Sequence, residues 1–360
     1  MLYPIKFEPV YKDYIWGGRN LDIYSRMLPD GITAESWDLS CHPDGVSIVS
    51  NGDLKGLSLP ELLKVYKTKL LGINFPESFV SNFPLLVKLI DANQNLSIQV
   101  HPNDEYAVVY EDGGLGKNEM WYVLSAKPGA KLVYGLNQGV TKETLANAIN
   151  NGTVEECLRY LEVVSGDIVN IPAGVVHAIG EGIMIAEIQQ NSNNTYRVYD
   201  YNRVDANGNK RPLHVKQALD VINFSASGTK SKSTGLKVVV NDHFYKTYAV
   251  ANRFFAAEIY NASGKVIEQT DGTKFFIYIF TEGEGEIIYE DGVTHVTAGE
   301  TVLIPAYLGS YILNGNFKAL KAYIPNLQQD VVQNLKLAGF DRDSIYNIIS
   351  AKGMTYLTLS

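Results

Sequence analysis

A chain of 360 residues, 46% of them hydrophobic, can bury a large core and divide into two or three domains. Its formal net charge of −8 argues against a general nucleic-acid surface. It has no apolar run of 18 residues, no signal-peptide pattern after Met1-Leu2-Tyr3-Pro4, and only Cys41 and Cys157 as thiols. These features exclude a membrane-spanning helix and a disulfide framework, and point to a cytoplasmic protein with free thiols.

Short β-rich runs punctuated by Gly, Asn and Asp predict a sandwich or barrel. In chain order, residues 59–71 read as a helix capped by Ser58 with Glu61 in its first turn. Residues 81–91 read as a strand, and Lys88 is the only charge in its apolar run from Phe83 to Ile90. Burying an ammonium is costly, so Lys88 must snorkel, pair with an acid, or be kept for chemistry. A desolvated lysine loses proton affinity and can serve as a base near neutral pH.

Residues 131–135 and 182–190 are further strand candidates, and 141–150 and 153–161 read as short helical pieces, each opened by a threonine. Another helix is expected at 214–223, behind Pro212. Residues 225–235, from Ser225 to Gly235, are polar and poor in apolar side chains, and read as a linker or exposed loop. Beyond it, Gly299-Glu300-Thr301-Val302-Leu303-Ile304-Pro305-Ala306 echoes Gly166-Asp167-Ile168-Val169-Asn170-Ile171-Pro172-Ala173. Asp330, Val331, Val332, Leu335 and Leu337 then have helical spacing with Gly339 as a stop, and Asp341 caps a further helix.

The chemistry concentrates in two stretches. In Leu96-Ser97-Ile98-Gln99-Val100-His101-Pro102, an extended backbone turns Ser97, Gln99 and His101 to one face. Glu119 follows in Lys117-Asn118-Glu119-Met120-Trp121-Tyr122, and His177 ends the run Gly166 to His177. Two imidazoles, one carboxylate and one amide oxygen make a four-ligand site suited to zinc or a similar divalent ion. With a single anionic ligand, the ion keeps net positive charge and acts as a Lewis acid. Alone, a strand histidine is more often structural; the second stretch moves the reading to a metal site.

The spacing of Gly166, Pro172, Gly174 and His177 resembles the second motif of the cupin barrels. More closely, the chain resembles the short bacterial form of the type I phosphomannose isomerases. The likeness runs from Trp16-Gly17-Gly18 through Glu35-Ser36-Trp37, the Gln99/His101 strand and Lys117 to Tyr122, then from His177 to Arg197. It covers about the first two thirds of the chain.

The resemblance implies a mostly β fold with two cupin (jelly-roll) domains, a few short helices and a helical C-terminal tail. Expected boundaries are 1–224 for a catalytic domain, 225–235 for the linker, 236–325 for a metal-free cupin domain and 326–360 for the tail. It implies one zinc per chain on Gln99, His101, Glu119 and His177. Lys88 stands where the family has a proposed base, Lys117 where it has a substrate-binding lysine, and Glu187 and Arg197 where two residues line the pocket. Ser97, Lys117 and Arg197 are then candidates to hold phosphate or sugar hydroxyls, and the reaction implied is mannose 6-phosphate to fructose 6-phosphate through a cis-enediol.

The match weakens after Arg197, where the chain reads Val198-Tyr199-Asp200-Tyr201. His42, His214, His243 and His295 lack ligand spacing and read as structural or exposed. Tyr307 and Ser310 replace Gly174 and His177 in the echo, which therefore reads as a packing domain. Two other classes stay open, a cupin oxygenase with iron and a non-catalytic sugar-binding bicupin. No partner beyond the small-molecule substrate is expected, and monomer and homodimer are both compatible with the sequence.

Overall fold

The computed structural model describes residues 2–76, 79, 82–204, 207–226 and 232–349. Ser81 at the head of the expected strand, residues 227–231 of the polar segment and residues 350–360 of the tail lie outside them. The fold is mostly β. Among the described residues no helix is long and apolar enough to cross a membrane.

The chain forms two compact units, one of Tyr11–Ser36 and Val87–Lys232, the other of Met1–Val10, Trp37–Leu86 and Ser233–Ser360. The cut after Lys232 falls in the polar segment. The other cuts depart from a single 1–224 domain, because Ile5–Glu8 pairs antiparallel with Thr301–Ile304 and with Ile48–Val49. Ile5 lies opposite Leu303, a pairing that no linear reading of the chain can see.

In the unit containing Val87–Lys232, a five-stranded antiparallel sheet runs in the order Tyr196–Tyr199, Ile98–Val100, His177–Ala178, Lys131–Leu136 and Leu158–Glu162. A second sheet pairs Ile168–Ile171 with Glu119–Ala126 and that strand with Ile183–Gln190. The two-residue period of a strand explains the packing. Leu132 and Tyr134 join Trp121, Val123, Val169, Ile171 and Ile185 in one core between the sheets. Val133 points the other way, with Ile98 and Val100, toward Leu145 of the helix Lys142–Asn151 and Ala218 of the helix Val215–Val221. Each such side chain, once buried, contributes ~1.5–3 kcal/mol. Burying Ile98 and Val100 on the helix side commits Ser97, Gln99 and His101 to the opposite face.

Leu85–Ala92 is buried along its whole length, so it shows no polar alternation, and Lys88 is buried with it. The helix Leu59–Tyr66 starts at a reciprocal cap: the Glu61 N–H donates to Ser58 Oγ, and the Ser58 N–H to Glu61 Oε2. It stops short of residue 71, because Lys67 takes φ 44° before the turn Thr68–Leu71. Residues 153–161 are not one helical piece. Val154–Cys157 make a single tight turn, and Leu158–Glu162 then pairs with Lys131–Leu136, tertiary pairing overriding local propensity. The helix Asp104–Tyr110 was not anticipated, although Asn103 caps it and Asp104 and Glu105 occupy its first turn.

In the other unit, the strands Ala256–Gln269, Ser310–Tyr323 and Phe276–Tyr289 are each 14 residues long and lie side by side. Phe276–Tyr289 bends at a register shift between Phe280 and Glu282. Gly283 follows with φ 75°, where a Cβ would come within 2.0 Å of Asn316 O. Tyr278, Phe280 and Ile287 then share one core with Tyr260, Tyr311 and Phe317. Helical turns at Leu327–Gln333, Asn334–Leu337 and Arg342–Ile348 lay Val331, Val332, Leu335 and Ile345 against Tyr248, Ala256 and Tyr323. The sheets are open; no closed barrel is found among the described residues.

Candidate active site

Strand register brings the predicted ligands together. Ile98–Val100 is paired on both sides, and Gln99 stands opposite His177 and opposite Arg197. In the other sheet Glu119 stands opposite Gln189 and Ile171, and Trp121 opposite Glu187. His101, Glu119 and His177 are fully buried, and their nearest ligand atoms all lie within 4.8 Å of one another.

The tautomers are set from behind. His177 Nδ1 donates to Val175 O at 2.8 Å, and His101 Nδ1 to Asn194 O at 2.8 Å. Each ring therefore turns an unprotonated Nε2 toward Glu119, at 3.1 Å from His101 and 3.8 Å from His177. Burial first, then the Lys117 charge, pushes the His101 pKa down to about 3. Burial likewise lowers His177, so both rings stay neutral. Burial works against ionisation of Glu119, yet Lys117 at 2.8 Å and His101 hold its carboxyl well below the usual range.

His101 Nε2 and both Glu119 oxygens make no hydrogen bond of acceptable geometry, although all three are buried. Buried atoms of this kind normally have a partner. One imidazole nitrogen and an anionic carboxylate left in this way, with His177 Nε2 close by, fit a divalent cation. Gln99 presents Nε2 to His177 Nε2 at 3.3 Å; a half-turn of its amide would present Oε1 instead.

Over this cluster lies a polar cavity of about 240 Å³, lined by Ser97, Gln99, Lys117, Lys88, Glu187 and Arg197 among others. Gln99 and Lys117 thus touch both the cavity and the buried cluster. Lys88 Nζ sits 3.3 Å from Glu35 and 3.6 Å from Glu187. Burial alone would depress it, as the sequence suggested, but the two carboxylates outweigh burial and raise its pKa, so it remains an ammonium. Glu187 is moved the other way. Burial, then Glu119, raises its pKa to about 7 against the opposing pull of Lys88, and Trp121 Nε1 donates to its Oε1 at 2.7 Å.

Arg197 is half-buried, its Nε donating to Ser97 Oγ at 3.3 Å and its Nη1 to Pro212 O at 2.9 Å. His214 accepts the Arg197 N–H, so it supports the site strand without facing the cluster. His42 bonds the N–H of Asp44.

Sequence reasoning missed two charged residues of the cavity wall, Glu35 and Arg211. Glu35 carried the cue that drew attention to Lys88, a charge in a fully buried strand, Glu35–Leu39. Arg211 had no local signal.

Fold and cluster together define a mostly β protein with a buried group of two histidines and one carboxylate that could hold a metal ion, in contact with the lining of a polar cavity. The family model of the phosphomannose isomerase type I catalytic domain matches residues 5–119, and that of the mannose-6-phosphate isomerase cupin domain matches residues 245–324. The chain is 37% identical to the Bacillus subtilis mannose-6-phosphate isomerase ManA over 321 residues, 89% of this chain and 99% of that one. It is 36% identical to the Streptococcus mutans mannose-6-phosphate isomerase over 324 residues, 90% and 99% of the two. The crystal structure of the B. subtilis mannose 6-phosphate isomerase superposes with a TM-score of 0.81 at 33% identity, covering 89% and 99% of the two chains. The chain belongs to the mannose-6-phosphate isomerase family. Neither an oxygenase nor a non-catalytic bicupin is favoured by these likenesses.

Proposed function

We propose that the chain is a metal-dependent aldose–ketose isomerase that interconverts mannose 6-phosphate and fructose 6-phosphate through a cis-enediol. The observation that carries this reading is that one small cavity is lined by the buried carboxylate Glu187 and by Gln99 and Lys117, which touch His177 and Glu119 of the His101–Glu119–His177 cluster. His101, Glu119, His177 and a turned Gln99 amide would hold one zinc ion, whose bound charge supplies polarisation of the sugar oxygens.

The rest of the chemistry belongs to the chain's own side chains. Net isomerisation moves one proton from C2 to C1 and another from O2 to O1. Glu187, half ionised near neutral pH, is suited to take the C2 proton and return it to C1. Lys88, fixed as an ammonium between Glu35 and Glu187, orients that carboxylate and stabilises negative charge as it develops. Arg197 offers a planar fork for substrate oxygens, steadied by Ser97, while Lys117 holds Glu119 in its anionic form at the cavity floor.

The finer architecture follows the same reading: two jelly-roll cupin domains, the second metal-free with a helical tail, in a cytoplasmic protein that takes a sugar phosphate and no nucleic acid. The match of residues 245–324 to a cupin domain supports it. A coupled assay with mannose 6-phosphate, run with and without a chelator, tests the proposal. Turnover should disappear on chelation and return with added zinc; a chelator-insensitive rate, or no turnover at all, would sink it.

A further inference from the structure

Two arginines, Arg197 and Arg211, line the cavity in a chain whose overall charge is negative, and Asp200 ties Arg211 to a third, Arg203. Asp200 follows the strand Tyr196–Tyr199 directly and is buried. Its Oδ2 accepts from Arg211 Nε at 2.8 Å and its Oδ1 from Arg211 Nη2 at 2.6 Å, a two-point fork. Oδ1 also accepts from Arg203 Nη2, while Arg203 Nη1 donates to Asn95 O at 2.6 Å. Tyr201 and Asn202, both at φ 54°, make the left-handed turn that brings Arg203 back over Asp200. Burial disfavours the Asp200 anion, but its two arginine partners hold the carboxyl below its usual range.

Arg211 lines the cavity together with Arg197, whose own proton affinity is lowered by burial and then by the Arg211 charge. Arg211 Nε and Nη2 are engaged by Asp200, and among the described residues Nη1 has no hydrogen bond. The other cations of the cavity are matched: Lys88 lies between Glu35 and Glu187, and Lys117 against Glu119. The three guanidiniums outnumber the single carboxylate of Asp200, and with Lys88 and Lys117 against Glu35, Glu187 and Glu119 the whole group keeps five cations to four carboxylates. A phosphate monoester carries about −1.5 to −2 at neutral pH.

We propose that Arg211, aimed by Asp200 and backed by Arg203, is a binding residue for the phosphate of the substrate, and that Asp200 is its positioning residue. This rests on the isomerase reading for the identity of the substrate, but not for the anion chemistry. Arg211 binds the phosphate equally in ground and transition states, so its loss weakens binding rather than the chemical step. Asp200 acts only through the arginine it orients.

Steady-state kinetics with mannose 6-phosphate, and competitive inhibition by inorganic phosphate, test this on the metal-loaded enzyme. Arg211→Ala should raise both KM and the phosphate inhibition constant by about tenfold or more, with kcat within about threefold. Arg211→Lys should recover only part, because an ammonium lacks the fork that Asp200 engages. Asp200→Asn should move the same two constants in the same direction by less. If it does not fold, the half-exposed Arg211 variants still decide the matter. Unchanged KM and inhibition constant in Arg211→Ala, or a fall in kcat at constant KM, overturns the proposal. If the wild-type protein turns over no mannose 6-phosphate, calorimetric titration with inorganic phosphate separates the two ideas. Binding that weakens in Arg211→Ala keeps the anion site and discards the isomerase, whereas equal binding discards the site.

Discussion

In the site-bearing unit Gly166, at φ 91°, turns the chain into the strand Ile168–Ile171, and in the C-terminal unit Gly299, at φ 89°, turns it into Thr301–Ile304. The likeness extends to the hydrogen bonds. Asp167 Oδ2 accepts the N–H of Val164 and pairs with Lys232; Glu300 Oε2 accepts the N–H of Thr297, and its other oxygen pairs with Lys6. Each strand then lies antiparallel to a neighbour, Ile171 opposite Glu119 and Ile304 opposite Phe276. Through that register Phe276 occupies the place of Glu119, Tyr278 that of Trp121, and Lys321, opposite Tyr278, that of Glu187. Ser310 is exposed where His177 is buried. The same backbone thus supports a buried group of two histidines and a carboxylate in one unit and, in the other, a core of aromatic rings with lysine–glutamate pairs. Lys321 meets Glu268 at 2.6 Å, and Tyr260 donates to that glutamate at 2.7 Å. The scaffold permits a site, and a few side chains decide whether there is one.

The comparison breaks most sharply at the ligands. Purified protein should carry about one divalent ion per chain. His177→Ala and His101→Ala should lose most of it, and turnover with it, by elemental analysis and the coupled assay. His42→Ala and His295→Ala should retain the ion. Full metal retention in His177→Ala would make the echo at Ser310 uninformative, because His177 would then be no more a ligand than Ser310, and retention in His101→Ala would remove His101 from the ligand set.

Next in size is the proton-transfer pair. Glu187→Gln should keep the metal and lose about 10²–10⁴-fold in turnover, with exchange of the substrate C2 proton into deuterated water falling in parallel. Lys88→Met should fall in the same range, by releasing the carboxylate it orients. The pH profile carries the sign. The base is the ionised form and burial raises the Glu187 pKa above the usual carboxylate range, so kcat/KM should fall as pH drops through the raised value. A profile with no acid limb would remove Glu187 from the role.

Much of this was readable in the sequence, and the limits have physical causes. The two-residue period of a strand put Gln99 and His101 on one face, and the family resemblance added Glu119 and His177, so His101, Glu119 and His177 could be named together before the fold was known. The charge of Lys88 could not. Burial was visible in its apolar neighbours, but its proton affinity is governed by Glu35 and Glu187, which reach it from other strands. Arg211 and Asp200 come together across a turn in a segment with no periodic pattern. The helix expected at 153–161 failed because Lys131–Leu136 offered Leu158–Glu162 a partner. The pairing of Ile5–Glu8 with Thr301–Ile304 was not legible either, since sheet partners far apart in sequence leave no local mark.

A matched substitution in the other unit sharpens the contrast. Lys321→Met removes a buried ammonium as Lys88→Met does, and leaves Glu268 without its cation. Breaking a buried pair costs about 3–5 kcal/mol, so the denaturation midpoint should drop clearly. Turnover per bound metal, measured well below that midpoint, should hold. Equal loss of turnover in both lysine variants would mean that the two cores are not functionally distinct.

The smallest expected effect is at Ser310. It begins the strand Ser310–Tyr323 at an exposed position, opposite Gln269, and no group of His, Cys, Asp or Glu with metal-binding geometry surrounds it among the described residues. Ser310→Ala removes a hydroxyl already in contact with water, a change of the kind that stays within about ±0.5 kcal/mol. Turnover, metal content and thermal midpoint should all match the parent protein. His177→Ala, at the equivalent place in the other unit, should lose the first two. A well-folded Ser310→Ala protein with strongly reduced turnover would show that the echo carries function after all, and that burial of the ligand position is not what separates the two units.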